Sequence, residues 1–245
     1  MTTIPSAPTA GLAQRVDDLP WDDLRTDLDA RGFAVTPPLL DGTECERLAA
    51  LFDDGGRFRA TVDMARHRFG AGRYRYFDHP LPETVQALRT AFYGRLAPIA
   101  NDWSALLGGD PAAFPLEHEE LLERCRAAGQ WRPTPLILRY GPGDWNALHQ
   151  DLYGDVFFPF QVVTVLAEAG EAFEGGELVL VEQRPRAQSR AHVLRPARGA
   201  FLIFPTRERP NAGRVGHHRV GMRHGVSTVT AGSRTALGII FHDAR

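Results

Sequence analysis

Beyond Thr134 the apolar residues stop recurring at helical intervals and fall into short blocks: Leu136 to Leu138, Phe160 to Leu166, Leu178 to Val181, Phe201 to Phe204 and Leu237 to Phe241. Clusters of Gly, Pro and Arg separate them. Blocks of this length bounded by turn formers read as strands, and seven or eight of them in about 110 residues predict a small sandwich or jelly roll. The first half obeys another period. Val85, Leu88, Phe92, Leu96, Ile99 and Trp103 recur every three or four residues, which predicts a helix with one buried face. Leu24 and Leu28 predict a shorter helix, Phe33 to Thr36 a strand, Asp41-Gly-Thr-Glu44 a capped helix start, and Glu117 to Ala128 a further helix. The expected class is α+β: a flexible tail over 1–16, a helix-rich part over 17–130 integral to the fold, and a jelly-roll core over 131–245.

All 28 basic residues are Arg. Without Lys there is no Walker A phosphate loop and no Schiff-base or pyridoxal-phosphate chemistry, so His, carboxylates, Arg, hydroxyls or a metal must carry any reaction. A net charge of −2 with nine His gives no global basicity for nucleic acid. Cys45 and Cys125 form no C-x-x-C pair and no disulfide framework, which fits a reducing cytoplasm. No apolar run reaches spanning length and the first residues lack an apolar signal core, so a cytoplasmic protein with no membrane partner is expected.

The chemistry concentrates at two places. His149-Gln-Asp151 follows the predicted strand over 134–140 and the turn Gly141-Pro-Gly143. In extended backbone, residues two apart share a face, so this imidazole and this carboxylate can converge on one ion. Near the other end, His224 to Phe241 reads as strand, glycine-containing turn, strand; such a hairpin sets the Arg234 guanidinium roughly 10 Å from the His224 imidazole. That gap suits a small dicarboxylate held by a metal at one end and a planar cation at the other. Two His and one carboxylate leave three positions open, the arrangement of non-haem Fe(II) oxygenases. His217, His218 and His242 compete for the second imidazole role. His224 is preferred because Arg stands ten residues after it, whereas Thr228 occupies that region for His217 and His218, and only three residues follow His242. His67, His79, His118 and His192 read as surface or core histidines.

The order His-x-Asp, about seventy residues, His, then Arg ten later resembles the Fe(II)/2-oxoglutarate dioxygenases, including their prolyl-hydroxylase branch. Tyr140-Gly-Pro-Gly143, Gly175-Gly-Glu-Leu178 and Gly199-Ala-Phe-Leu-Ile-Phe204 stand in the matching order. The resemblance implies a cupin-like double-stranded β-helix and Fe(II) held by His149, Asp151 and His224. It implies 2-oxoglutarate held at its far carboxylate by Arg234 and by Tyr140 as hydrogen-bond donor, O2 as the other cosubstrate, and ascorbate as an accessory reductant. A buried strand tyrosine is the alternative reading of Tyr140. The implied reaction hydroxylates, or oxidatively demethylates, an unidentified substrate while 2-oxoglutarate becomes succinate and CO2. Arg66-His67, Tyr74 to Phe77, Glu182 to Arg190 and Met222 to Gly225 are similar to a bacterial subfamily described as acting on damaged nucleic acid, over about residues 57–243. Ile240 stands where nucleic-acid demethylases carry a second Arg, six positions after the first.

The substrate stays open between damaged nucleic acid and a peptide, amino acid or biosynthetic intermediate; a non-catalytic, metal-bound jelly roll that binds nucleic acid is the rival from another class. Residues 57–75 hold six Arg against one Asp, and residues 184–219 nine Arg against one Glu. Phe58, Phe69, Tyr74, Tyr76 and Phe77, interleaved with the first tract, could stack bases. Loops and strand ends rim a jelly roll, so Arg66, Arg73, Arg186 and Arg190 are expected at the entrance to the metal site. The bland alternative is that a chain without Lys must place Arg at every solvated basic position.

Overall fold

The computed structural model describes residues 10–184 and 186–245. Two antiparallel sheets face each other. The larger has the spatial order β1 (Ala34–Pro38), β11 (Ala200–Pro205), β7 (Phe160–Val165), β15 (Arg234–Ile240), β5 (Leu136–Tyr140), β4 (Arg73–Phe77) and β2 (Phe58–Asp63). The smaller runs β10 (Arg190–Leu194), β9 (Leu178–Gln183), β13 (His217–Val226), β6 (Trp145–His149) and β3 (Gly70–Ala71), with β12 (Glu208–Ala212) also paired to β13. A ribbon of β8 (Phe173–Gly175) and β14 (Val229–Gly232) closes one end. The helices are α1 (Ala10–Asp17), α2 (Trp21–Arg31), α3 (Gly42–Ala50), α4 (Met64–His67), α5 (Glu83–Leu106) and α6 (His118–Ala127).

Strands β7, β11 and β15 are buried along their whole length, because both faces of the larger sheet are covered. One face meets the helices. Phe160, Val162, Phe201, Ile203, Leu237 and Ile239 pack with Val85, Leu88, Phe92, Leu96 and Trp103 of α5, with ring centroids 4.5 Å apart for Trp103–Phe160 and 4.9 Å for Phe92–Phe201. The alternate residues point between the sheets, where Val163, Val165, Leu202, Phe204 and Ala236 meet Leu178, Leu180, Met222 and Val226. The helical period read in α5 is this buried face, and the Asp41–Glu44 signal is a complete capping box on α3.

Three expectations change. Residues 10–17 form α1, whose Leu12 and Val16 lie one turn apart and are buried in the helix-facing core, so the tail reading fails there; residues 1–9 lie outside the described residues. Eleven strands rather than seven or eight follow Thr134, because polar ones such as β10 and β12 carry no apolar block to announce them. The helix-rich segment also supplies β1, β2 and β4 to the larger sheet. No helix among the described residues is long and apolar enough to cross a membrane.

A polar cluster seals the helix–sheet contact. Arg89, fully buried on α5, donates from Nε to the Ile240 carbonyl (2.9 Å), and from Nη2 to the Phe241 carbonyl (3.0 Å) and Asp243 (2.8 Å). His118 and His242 are buried beside it, and burial, reinforced by the Arg89 charge, pushes both imidazoles down to about 3.

Candidate metal and cosubstrate site

Gly141-Pro142-Gly143-Asp144 closes a turn with the Asp144 amide donating to the Gly141 carbonyl (3.0 Å) and φ of 87° at Gly143, the type II pattern that places Pro second and Gly third. The turn carries the chain from β5 in the larger sheet to β6 in the smaller one. There His149 lies opposite His224 of β13, and an irregularity in the register pairs Asn146 with Val226, so three β6 steps match two on β13. Gly225 allows this approach, since a Cβ there would meet the Asn146 carbonyl oxygen at 2.7 Å.

His149, Asp151 and His224 offer ligand atoms that all lie within 4.8 Å of one another. Asp151 Oδ2 is 3.1 Å from His224 Nε2, and Oδ1 is 3.6 Å from His149 Nε2. The His149 Nδ1 proton goes to the Ala147 carbonyl at 2.7 Å, which leaves Nε2 as the free nitrogen. Burial, with His224 beside it, pushes the His149 imidazole down, toward the neutral form that can donate a lone pair. Burial alone would raise Asp151, but the facing histidines and the Tyr153 hydroxyl outweigh it and hold the carboxyl well below its ordinary range. The triad is thus a deprotonated carboxylate between two imidazoles, a donor set suited to a divalent first-row metal.

The expected hairpin does not exist. His224 belongs to the smaller sheet and Arg234 to the larger, with β14 between them in sequence, so the guanidinium faces the triad across the gap between layers. Gly175 and Gly176 are both left-handed, with φ of 71° and 63°, and a Cβ on Gly176 would come within 2.8 Å of Arg234 Cδ; the Gly-Gly-Glu motif makes room for this side chain. Glu177 next to it is held by Arg195 and Ser227. Arg234 is 1% exposed, and its Nε and Nη2 have no hydrogen-bond partner among the described residues. Tyr140 lies directly across from Arg234 in the register, its ring centroid 5.5 Å from the guanidinium carbon. Burial pushes the Tyr140 phenol up to about 12, so it is a neutral donor; its oxygen accepts from Asn146 (3.3 Å), which leaves the hydroxyl proton for another partner.

One cavity of about 260 Å³ holds His149, Asp151 and His224 together with Arg234 and Tyr140. Sequence reasoning missed several of its walls. Tyr153 donates to Asp151 Oδ1 (2.7 Å), and Tyr76 donates to Tyr153 (3.1 Å). Gln161 is buried with its Nε2 unpartnered; an amide side chain inside the mostly apolar run Phe160–Val165 was the available signal.

The four rim arginines do not gather. Arg66 is exposed and 3.7 Å from Asp63, and Arg73 lines a separate polar depression with Asp53 and Arg139. Arg186 and Arg190 follow β9, at the opposite edge of the smaller sheet from β3. None of the four lines the cavity. Several aromatics read as base-stacking groups are occupied internally: Arg75 lies over Phe58 (4.5 Å) and Arg59 over Tyr76 (4.4 Å). His217 and His218 are exposed on β13, and His242 is buried with Nδ1 accepting from the Phe158 amide, so none of the competing histidines joins the triad.

Residues 72–244 match the family model Oxygenase-NA, described as an oxygenase catalysing oxidative methylation of damaged DNA. The chain belongs to this oxygenase family. Two uncharacterized proteins of Mycobacterium tuberculosis, MT2286 and Rv2227, are each 48% identical to the oxygenase over 168 residues, 69% of this chain and 72% of theirs. The oxygenase also shares its fold with a Pseudomonas putida prolyl-4-hydroxylase (TM-score 0.52, 16% identity, 92% of this chain and 99% of that one). A 2OG-Fe(II) oxygenase-family oxidoreductase from Burkholderia pseudomallei is similar in the same way (TM-score 0.53, 21% identity, 91% and 92%).

Proposed function

We propose that this oxygenase uses Fe(II) and 2-oxoglutarate, with His149, Asp151 and His224 as metal ligands and Arg234 with Tyr140 as the clamp for the far carboxylate. The observation that carries the reading is the buried Arg234 guanidinium: two of its donors lack partners in the cavity that also holds the triad. An unpaired buried charge is costly, so the site calls for an anion, and a planar carboxylate matches the guanidinium fork. Because the clamp and the triad line one cavity, a small dicarboxylate held at one end by Arg234 would have its other end available to the metal site. Bound there, iron and 2-oxoglutarate would couple release of succinate and CO2 to oxygen insertion at a substrate C–H bond.

The chain's own part is to hold and exclude. The Ala147 carbonyl fixes the His149 tautomer, Tyr140 offers its proton to the carboxylate, and Phe204, edge-on to His224 at 4.8 Å, keeps water from that side. The family description supports a methylated base as substrate, and Phe69 and Tyr74 give the cavity an aromatic wall. Oxidation of an N-methyl carbon yields a hemiaminal that collapses to formaldehyde and N–H, so such chemistry removes the methyl group. Buried, unpaired Cys45 and Cys125 support a reducing, cytoplasmic setting.

The test is anaerobic loading with Fe(II) and 2-oxoglutarate, then O2, with and without ascorbate and methylated single-stranded DNA. Succinate release by the wild type, with formaldehyde when the DNA is present, is expected. Loss of both in His224→Ala completes the expectation. Equal succinate from wild type and His224→Ala would overturn the reading.

A further inference from the structure

Two of the four tyrosines that line the cavity, Tyr76 and Tyr153, form a chain ending on the triad's carboxylate. Tyr153, two residues past Asp151, donates its hydroxyl to Oδ1 at 2.7 Å. Tyr76, from β4 in the opposite sheet, donates to the Tyr153 oxygen at 3.1 Å, with the rings edge-on at 6.3 Å. Tyr76 is itself fixed: Arg59 caps its ring at 4.4 Å, and Tyr74 stands edge-on to it at 5.3 Å. Each phenol spends its single proton along the chain, so the direction Tyr76 to Tyr153 to Asp151 is set.

From this geometry we infer that Tyr153, backed by Tyr76, is a positioning residue that makes Asp151 bind the metal through one oxygen. The inference rests on the metal reading above. A free carboxylate can chelate a divalent ion through both oxygens and occupy two coordination positions. Here the Tyr153 hydroxyl takes up Oδ1 lone-pair density and pins the plane of the group, while Oδ2, 3.1 Å from His224 Nε2, carries no hydroxyl donor and is the more basic oxygen. Binding through Oδ2 alone would leave the metal's remaining positions free for the cosubstrates. Partners that orient metal ligands in this way are commonly worth 10–100-fold in metal affinity. Since Tyr76 and Tyr153 both face the cavity, a substrate that presses on Tyr76 reaches the metal carboxylate through two hydrogen bonds.

The chain is tested by titrating Co(II) into apo wild type, Tyr153→Phe and Tyr76→Phe, reading both the dissociation constant and the visible absorption of bound Co(II), whose intensity reports coordination number. Tyr153→Phe is expected to weaken Co(II) at least tenfold and to shift the spectrum as Asp151 becomes free to chelate; Tyr76→Phe should shift both in the same direction, by less. Affinity within twofold and an unchanged spectrum in Tyr153→Phe overturn the inference while leaving the metal reading intact. If Tyr153→Phe fails to show a cooperative melt, Tyr76→Phe decides alone, and an unchanged spectrum there overturns the chain. A wild type that binds no Co(II) overturns the metal reading itself.

Discussion

Three arginines are buried among the described residues; Arg209 is paired with Glu182 (2.6 Å), and the other two, Arg89 and Arg234, differ in their surroundings. Arg89, between α5 and the larger sheet, meets Asp243 and the Ile240 and Phe241 carbonyls, and only its Nη1 lacks a partner. Arg234, between the two sheets, has two nitrogens without partners and forms no ion pair among the described residues, and the acidic group that acts on its charge, Glu177, is engaged by Arg195 and Ser227. Burying a charge is tolerated when other groups of the chain answer it, as around Arg89. For Arg234 the answering group would, under the proposed function, come from outside, as the far carboxylate of 2-oxoglutarate. The contrast separates a buried arginine answered by a carboxylate of its own chain from one whose proposed partner is a ligand carboxylate.

The contrast predicts unequal responses to mutation. Arg89→Ala leaves Asp243 buried and alone, and should cost about 3–5 kcal/mol, on the order of 10 °C in melting temperature at this chain length. A melting temperature within 2 °C of wild type would make Arg89 no better answered than Arg234. The same region should respond to acid. His118 and His242 have native pKa values of about 3, below the ordinary 6.5, so the unfolded chain binds more protons as the pH falls beneath 6.5. Stability present above pH 6.5 is then lost toward pH 3, at up to about 1.4 kcal/mol per pH unit for each histidine. His118→Gln should flatten the slope of stability between pH 6.5 and 5, before most carboxylates titrate; an unaltered slope would remove His118 from this account.

Arg234→Met should behave in the opposite sense to Arg89→Ala. Removing a buried charge that no carboxylate answers is expected to leave the apo melting temperature unchanged or slightly higher. A drop as large as that of Arg89→Ala would show Arg234 to be part of the structural frame. The smallest effects belong to Arg66, Arg73, Arg186 and Arg190: each changed to Ala should shift stability by less than about 0.5 kcal/mol, as surface substitutions do. If these residues bind no substrate, the quadruple variant should also keep the salt dependence of turnover.

What could be read from the residues follows the range of the interactions. The triad was legible because His149 and Asp151 are two apart and the Gly-Pro-Gly turn precedes them, and because Arg234 follows His224 at a fixed interval. The larger helices were legible because α5 buries one face along its whole length. The passage of the chain from β13 in one sheet to β15 in the other was not, since a strand–turn–strand pattern looks the same whether or not its arms pair. Tyr76 and Tyr153 are 77 positions apart and meet only through the fold. The arginine tract over 57–75 stayed open between a partner surface and ordinary solvated positions, because nothing local reveals that Arg75 reaches the Phe52 carbonyl or that Arg59 lies over Tyr76.

The central claim is that the triad and Arg234 hold two ends of one cosubstrate. Its most direct test is 2-oxoglutarate binding, measured by calorimetry on the Mn(II)-loaded protein in wild type, Arg234→Met and His224→Ala. Charge-assisted hydrogen bonds are worth about 1.5–3 kcal/mol each, so Arg234→Met should weaken 2-oxoglutarate roughly 100-fold while keeping Mn(II). His224→Ala should lose Mn(II) and, with it, the tight binding. Undiminished 2-oxoglutarate affinity in Arg234→Met, with Mn(II) still in place, would contradict the account.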